Sequence, residues 1–158
     1  MKVSELMTKS PAYCTTDTNL GAAAEIMWKR NCGFLPVLSP QQSVVGVVTD
    51  RDMCIAMATR NRLPGQVTVR EVSSAVTHSC RPDDDLQAAL RTMADKGVRR
   101  LPVIDAAGKL EGVLSVDDII LRTDSQIPGS LASEDVVSAV RRLYESQLRQ
   151  GRAKAAIA

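Results

Sequence analysis

The sequence predicts an α/β fold in which one β-α-β-β-α unit occurs twice and is followed by a C-terminal helix. Shifting the sequence by 66 residues aligns Leu35-Pro36-Val37 with Leu101-Pro102-Val103 without a gap. The same shift aligns residues 46–52 with residues 112–118, and the register holds from residue 3 to about residue 121. Such a repeat indicates one supersecondary unit used twice, in which neither copy buries its apolar face alone.

The repeat also predicts the domain organisation. Repeat one is assigned to residues 1–62, repeat two to residues 63–124, and a linker with an amphipathic helix to residues 125–158. The chain has 158 residues, the size of one compact domain, and the ungapped repeat favours a single pseudo-symmetric one. A ligand of such a protein is expected in the cleft between the two copies.

The composition argues against several functional classes. Aromatic residues make up only 3% of the chain and the net charge is +2, so a nucleic-acid partner is not expected. No run of about 18 apolar residues exists, so no membrane span is expected, and the N-terminus lacks a signal-peptide core. We therefore expect a cytoplasmic protein.

The cysteines and the single histidine form no metal-binding pattern. Cys14, Cys32, Cys54 and Cys80 include no closely spaced pair, and His78 stands alone, so a metal site is not expected. Buried thiols in a reducing compartment are the favoured interpretation, although the repeat equivalence of Cys14 and Cys80 leaves a redox role open. Because no nucleophile–base pair or carboxylate constellation is evident, we expect neither an enzyme nor an obligatory cofactor.

Each copy begins with a polar turn and a helix. Apolar residues at helical spacing predict helices over residues 20–30 and 86–96, and the preceding turns offer N-cap side chains. Gly33 and Gly97 are predicted to close these helices in a left-handed conformation. Strands are predicted at residues 12–15, 34–38 and 44–48 in repeat one and at residues 77–81, 100–104 and 110–114 in repeat two.

The middle strand of each copy contains a proline, Pro36 or Pro102. Proline cannot donate to a ladder, which predicts either an edge strand or a strand with a local break. A final helix is predicted to begin at Ser133, because Glu134 and Asp135 place negative charge at its positive end. Its apolar residues are predicted to form one stripe, made of Val136, Val140, Leu143, Tyr144 and Leu148.

The motif Gly-x-x-Thr/Ser-x-x-Asp ends the last strand of each copy and starts a helix. Thr49 and Asp52 occupy it in repeat one, and Ser115 and Asp118 in repeat two. The amides and dipole of a helix N-terminus favour phosphate, and a carboxylate can accept hydrogen bonds from ribose hydroxyls. A single Ser/Thr-x-x-Asp is often only a capping box, but two copies at a fixed distance from Leu-Pro-Val are more specific.

These residues resemble those of a tandem pair of cystathionine-β-synthase (CBS) domains, the unit called a Bateman module. The resemblance covers residues 1 to about 122 and includes both motifs, both Leu-Pro-Val segments and the opening segment at residues 3–8. It implies a regulatory, non-catalytic fold whose two copies pack through their sheets about a pseudo-twofold axis. Two clefts then bind adenosine-containing ligands such as AMP, ADP, ATP, NAD or S-adenosylmethionine.

The resemblance also implies a role for each motif residue. Asp52 and Asp118 would hold ribose, and Thr49 and Ser115 would lie near phosphate. Apolar residues around the two Leu-Pro-Val segments would sandwich the adenine, namely Leu35, Pro36, Leu101 and Pro102.

The basic residues distinguish the two copies. Arg99 and Arg100 precede Leu-Pro-Val in repeat two, where members of the family often place phosphate-binding cations. Gly33 and Phe34 occupy the equivalent positions in repeat one, whose own cation is Arg51. Phosphate contact is the favoured role of Arg99 and Arg100, and solvated charge at a strand edge is the alternative.

The favoured function is an adenine-nucleotide sensor that signals in trans to an unidentified protein target. A dimeric interaction scaffold without a physiological ligand is the alternative. The apolar content of residues 53–58 and 119–121 favours a homodimer in either case, because one small globule cannot bury both segments.

Overall fold

The computed structural model describes residues 1–74, 78–122 and 131–155. Residues 125–130, the start of the predicted linker, therefore lie outside the described residues, as does the first residue of the strand predicted at 77–81. The elements in chain order are β1 Thr8–Lys9, β2 Cys14–Thr15, α1 Leu20–Arg30, β3 Phe34–Leu38, β4 Val44–Thr49, α2 Asp50–Arg60, α3 Leu86–Lys96, β5 Arg100–Ile104, β6 Leu110–Ser115, α4 Val116–Leu121 and α5 Ser133–Ala155.

The mixed helix-and-strand fold predicted from the repeat is confirmed. Helices α1 and α3 have the predicted bounds, and Asn19 and Asp85 cap them by accepting hydrogen bonds from Ala22 N and Gln87 N. Such caps satisfy amides that have no partner within the helix.

The helix ends differ between the copies. Gly97 ends α3 with φ of 67°, as predicted, whereas Asn31, with φ of 49°, ends α1 in the left-handed region. The prediction for Gly33 is therefore wrong. Asparagine also tolerates this conformation, because its short polar side chain hydrogen-bonds locally.

The chain divides into two compact units that do not follow the repeat boundaries. Unit 1 contains Met1–Lys9, His78–Asp105 and the described residues of Glu111–Ala158, and unit 2 contains the described residues of Ser10–Thr77 together with Ala106–Leu110. The opening segment of each repeat thus packs with the other repeat. Val3 N donates to Asp84 O at 3.0 Å in unit 1, and Val69 N donates to Thr18 O at 2.8 Å in unit 2.

In unit 2, β3 is the central strand of a three-stranded sheet. It pairs in parallel with β2 and antiparallel with β4, and Leu35, Val37 and Val48 are fully buried there. The edge-strand prediction for Pro36 is therefore wrong, and its alternative, a local break, is observed. The register with β4 shifts between Val37 and Leu38, beside the residue that lacks an N–H donor.

In unit 1, the strand order is β1-β6-β5, so β5 lies at the edge among the named strands. Beyond β5, Cys80 forms one parallel bridge with Val103, and this bridge is the only strand pairing among the described residues, 78–81, of the strand predicted at 77–81. Strand β1, which pairs antiparallel with β6 through Thr8 and Val113, was not predicted from the sequence. The unit is held by an aliphatic core that includes Leu86, Leu90, Met93, Leu101, Leu114 and Ile119.

The motif glycines allow the exchanged opening segments to approach. A Cβ atom on Gly46 would lie 2.7 Å from Ser74 O, and one on Gly112 would lie 2.9 Å from Thr8 O. Because glycine has no side chain, each motif leaves space beside its backbone. In the structure, backbone of the opposite repeat's opening segment occupies it.

The C-terminal helix α5 packs in unit 1 against α3 and α4. Val136 and Leu143 are buried in its core, and Val140 is half-buried against the same cluster. Tyr144 and Leu148 are exposed, so only part of the predicted apolar stripe packs against the core of unit 1. No helix among the described residues is both long enough and apolar enough to span a membrane.

Candidate functional site

The repeat-one motif forms a reciprocal cap at the start of α2. The Thr49 hydroxyl donates to Asp52 Oδ2 at 2.7 Å and accepts from Asp52 N at 3.2 Å. Thr49 N also donates to Asp52 Oδ2, at 3.1 Å. The capping box that the sequence predicts is therefore present.

The repeat-two motif has the same geometry at the start of α4. Ser115 Oγ donates to Asp118 Oδ2 at 2.6 Å and accepts from Asp118 N at 3.1 Å. Ser115 N donates to the same carboxylate oxygen at 2.8 Å. Ser115 is 8% exposed, so this hydroxyl belongs to the edge of the core.

Each carboxylate has one oxygen left for another partner. Within the described residues, no hydrogen bond involves Oδ1 of Asp52 or Asp118, and both aspartates are only half-buried. A carboxylate oxygen is a pure acceptor with two lone pairs, which suits a sugar diol. The hydroxyls differ in this respect, because the hydrogen of Thr49 or Ser115 is already donated to the aspartate. A phosphate contact from either hydroxyl requires that hydrogen to rotate away.

The Leu-Pro-Val segments lie beside the motifs but deep in the structure. Phe34 pairs with Thr49 and Leu35 with Val48 across the β3–β4 ladder. Leu35 and Leu101 are fully buried in the cores of their units, and Pro36 and Pro102 are buried as well. These side chains shape the strands that position the motifs. Their contact with an adenine stays a prediction.

The two motifs differ in the basic side chains beside them, and repeat two has Arg99 and Arg100. Arg99 is exposed, and its carbonyl accepts from Val116 N at 2.9 Å, so it lies directly beside the start of α4. Arg100 forms an ion pair with Asp117, with 3.5 Å between Nη2 and Oδ2. A phosphate that binds Arg100 must therefore compete with a neighbouring carboxylate.

Repeat one has a carboxylate where repeat two has these arginines. A Cβ on Gly33 would lie 2.5 Å from Asp50 Oδ2, so the Asp50 carboxyl occupies the place of the side chain at the Arg99 position. Asp50 N donates to Gly33 O at 3.2 Å, the equivalent of the Val116–Arg99 bond. Arg51 is exposed beside it. The sequence interpretation did not identify Asp50 as part of this site.

Asp52 also lines a small cavity of about 220 Å³ in unit 2. Arg60 and Glu71 lie on its wall, and Arg60 Nη2 donates to Glu71 O at 2.8 Å. The Glu71 carboxylate accepts from Thr68 N at 2.9 Å and from Arg62, which hold its pKa below the usual range. The sequence analysis did not identify Arg60 and Glu71, because the two residues meet through tertiary packing that no local pattern encodes.

A larger cavity of about 560 Å³ lies elsewhere in unit 2, between α1 and α2. Asp50 is the residue of the motif region that reaches it, and Thr49 and Asp52 do not line it. Its walls are mainly apolar, so its size alone does not identify it as a nucleotide site.

The cysteines divide into two buried and two accessible thiols. Burial raises the pKa of Cys14 and of Cys80 to about 12, which keeps both protonated at neutral pH. Cys54 is exposed and Cys32 is half-buried. Among the residues that the structure describes, no group of three His, Cys, Asp or Glu side chains is arranged to hold a metal ion.

Comparison with known proteins identifies the repeat. The family model described as "CBS domain" matches residues 3–59 and 69–124. An uncharacterized protein of Methanopyrus kandleri, MK0525, is 31% identical over 101 residues, which cover 62% of this chain and 52% of that protein. The chain therefore spans about half the length of this relative.

Two solved structures share the fold. CBSX2 in complex with AMP is 25% identical with a TM-score of 0.66, and the match covers 76% of this chain and 93% of that chain. The CBS domain pair of protein MJ0100, in complex with 5-methylthioadenosine and S-adenosyl-L-methionine, has a TM-score of 0.70 at 21% identity, with coverage of 77% and 94%.

Proposed function

The chain belongs to the CBS domain family as a tandem pair, and from that premise we propose that it is a non-catalytic regulatory module that binds adenosine-containing ligands. The observation that carries this proposal is the free Oδ1 of Asp52 and of Asp118 at repeat-equivalent helix starts. A cap alone uses one carboxylate oxygen, and both copies retain a second acceptor that faces no partner among the described residues.

The chemistry at each motif suits an adenosine ligand with phosphate. The aspartate would accept hydrogen bonds from the ribose hydroxyls. The positive end of the helix dipole and the amides of the first turn would favour the phosphate. Arg99 and Arg100 supply cationic donors in repeat two, and Arg51 supplies one in repeat one. AMP, ADP and ATP are the primary candidates. NAD and S-adenosylmethionine share the adenosine part that the aspartates would recognise.

The complexes of the two structural neighbours support this class of ligand. CBSX2 was solved with AMP, and the MJ0100 pair with methylthioadenosine and S-adenosylmethionine. All three ligands contain an adenosine with a ribose diol, and we expect Asp52 and Asp118 to accept hydrogen bonds from the two hydroxyls of that diol. The ligand would act as a regulatory signal and not as an obligatory cofactor.

A ligand panel measured by thermal unfolding tests the proposal. At a ligand concentration of about 100 Kd, binding adds about 2.7 kcal/mol to the stability of the folded state. This corresponds to a rise in Tm of about 5–10 °C for a chain of this size. AMP, ADP, ATP, NAD and S-adenosylmethionine form the panel, with GMP and inorganic phosphate as controls. The proposal is contradicted if only the controls raise Tm, or if no ligand of the panel raises it.

The module would signal in trans to a protein target as a homodimer. Ile55 on α2 and Ile120 and Leu121 on α4 are exposed, and Leu121 is 83% exposed. Exposed apolar side chains on helices are typical of self-association surfaces. Light scattering at tens of micromolar should give the mass of a dimer, and Ile120→Glu/Leu121→Glu should shift it to the monomer. A monomeric mass for the wild type contradicts this part.

The same exposed residues also favour the alternative of an interaction scaffold. A scaffold would dimerise as described but would show no stabilisation by any member of the ligand panel. The two functions are therefore separated by the thermal measurement and not by the oligomeric state.

A further inference from the structure

The C-terminal helix α5 holds the turn that precedes the two arginines of repeat two. Gln147 Nε2 donates to the carbonyl oxygen of Gly97 at 3.0 Å. This carbonyl lies at the end of α3, where backbone acceptors have no partner within the helix. Arg99 and Arg100 follow Gly97 by two and three residues. The Gln147 amide therefore fixes the peptide group at which the chain leaves α3 and turns toward both arginines.

Other side chains of α5 close over the same turn. Gly97 is buried and has φ of 67°, and a Cβ atom on it would lie 3.2 Å from both Ser146 Oγ and Gln150 Nε2. Gln150 Nε2 also donates to the carbonyl oxygen of Lys96 at 3.3 Å. The turn is thus held by hydrogen bonds to two successive carbonyls and by close packing, so its conformation depends on the docked position of α5.

Helix α5 also reaches the motif of repeat two from its other side. Val116, the residue after Ser115, donates its N–H to the carbonyl of Arg99 at 2.9 Å. The Val116 side chain belongs to the same buried cluster as Val136 and Leu143 of α5. The segment that carries the arginines and the segment that carries the motif are therefore bonded to each other, and α5 packs against both.

Repeat one has neither the arginines nor the contact. The residue equivalent to Gly97 is Asn31, which ends α1. Among the described residues, no side chain donates a hydrogen bond to the carbonyl of Asn31, in contrast to the two amides at the end of α3. Gly33 and Phe34 follow Asn31 where the arginines follow Gly97. The side-chain amides of α5 are thus found at the repeat whose next residues are cationic.

We propose that α5 is a positioning element of the repeat-two nucleotide site and acts through Gln147 and Gln150 on the segment that carries the two arginines. The inference rests on the proposed nucleotide function and adds the part of the chain that regulates one of the two sites. Coupling between two equilibria is reciprocal, so a docked α5 that raises nucleotide affinity is itself held more tightly when the nucleotide binds. Helix α5 therefore reports the occupancy of repeat two and not that of repeat one.

Calorimetric titration in two backgrounds tests the positioning role. The Asp52→Ala protein keeps the repeat-two site, and the Asp118→Ala protein keeps the repeat-one site. Gln147→Met preserves the length of the side chain and removes its donor. In the Asp52→Ala protein, this change should weaken ATP binding about two- to tenfold, the range for one neutral hydrogen bond, and should nearly spare AMP. In the Asp118→Ala protein, it should leave ATP affinity unchanged.

Hydrogen exchange tests the reciprocal effect without any change in α5. Saturating ATP should slow the exchange of the amides at residues 133–150 in the Asp52→Ala protein, and it should not slow them in the Asp118→Ala protein. Leu148→Met is the matched control for Gln147→Met, because Leu148 is the next residue of α5 and is 64% exposed. The control should change neither ATP affinity nor exchange, and both variants should keep the circular dichroism spectrum of their parent.

Three results would overturn the inference and leave the proposed function intact. The first is equal ATP affinity with and without Gln147→Met in the Asp52→Ala protein. The second is an equal loss of ATP and AMP affinity, since a merely structural contact would weaken both. The third is exchange of the α5 amides that ATP does not change in that protein. The absence of nucleotide binding to the wild type would instead overturn the proposed function, and the inference with it.

Discussion

The Ser115 hydroxyl lies 2.6 Å from Oδ2 of Asp118, and this oxygen also accepts from Ser115 N. Capping thus uses one carboxylate oxygen and leaves Oδ1 outside any hydrogen bond in the described residues. The same division occurs at Thr49 and Asp52 in repeat one. A structural role and a binding role of the aspartate are therefore separable by measurement.

Asp118→Ala should weaken binding of an adenosine ligand far more than it lowers stability. Loss of hydrogen bonds to a charged acceptor is worth about 1.5–3 kcal/mol, which raises Kd about ten- to hundredfold. Loss of the cap should cost about 1 kcal/mol of unfolding free energy. Calorimetric titration and urea unfolding measure the two effects. Asp117→Ala is the matched control, because it removes an exposed carboxylate that pairs with Arg100 and not with the motif, and it should not weaken binding of any of the ligands. Unchanged affinity in Asp118→Ala would make the residue a cap only.

Arg99→Ala/Arg100→Ala should reduce the affinity for ADP and ATP while AMP is nearly spared. Guanidinium groups suit bidentate contact with phosphate, and the two arginines adjoin the start of α4. Titration of the three nucleotides into both proteins measures the effect. Asp117→Asn provides a second check, because removing the partner of Arg100 should raise the affinity for ADP and ATP. An equal loss of affinity for all three nucleotides would mean that the arginines contact only the first phosphate or act through a general electrostatic field.

Gly46→Ala should destabilise the protein by about 1–3 kcal/mol, as overpacking does. The new Cβ would lie 2.7 Å from Ser74 O, a backbone atom that cannot move without shifting the opening segment of repeat two. Gly65→Ala is the control, because nothing lies within 4 Å of a Cβ there. In urea unfolding, the free energy of unfolding of Gly65→Ala should lie within about 0.5 kcal/mol of the wild-type value. Equal stability of the two variants would show that the opening segment does not pack against Gly46.

Cys14 and Cys80 should resist alkylation in the folded protein, and Cys54 and Cys32 should react. Burial raises the pKa of each buried thiol from 9.0 to about 12, which removes the reactive thiolate. The pKa of each buried thiol is higher in the folded protein than in the unfolded chain, so the folded state holds the thiol proton more tightly. The contribution of these thiols to the free energy of unfolding is therefore fully present below about pH 9, and it is lost as the pH rises toward 12. Mass spectrometry after iodoacetamide treatment at pH 8 should find two labels, and four in urea. Four labels without urea would contradict the burial.

Local patterns predicted most of the elements. The bounds of α1, α3, β3 and β5 follow from apolar spacing, caps and turns, which act over a few residues. The motif geometry was also predictable, because a capping box is a local arrangement of Ser115 with Asp118 or Thr49 with Asp52. The repeat supplied a second, independent instance of each.

Long-range packing escaped prediction. The pairing of Thr8 with Val113 and the contact of Ser74 with Gly46 depend on which repeat each opening segment joins, and no local pattern encodes that choice. The central position of Pro36 likewise depends on strand order. Tyr144 is exposed although it belongs to the predicted apolar stripe, because helical periodicity alone does not specify how much of a stripe is covered by other elements.

Calorimetric titration of AMP, ADP and ATP into the wild type and into Asp52→Ala/Asp118→Ala tests the central claim most directly. The account predicts saturable binding of at least one nucleotide to the wild type and its loss, by about a hundredfold or more in Kd, in the double variant. The double variant should keep the circular dichroism spectrum of the wild type. Nucleotide binding of equal affinity in the two proteins would contradict the assignment of the repeated aspartates as ligand-binding residues.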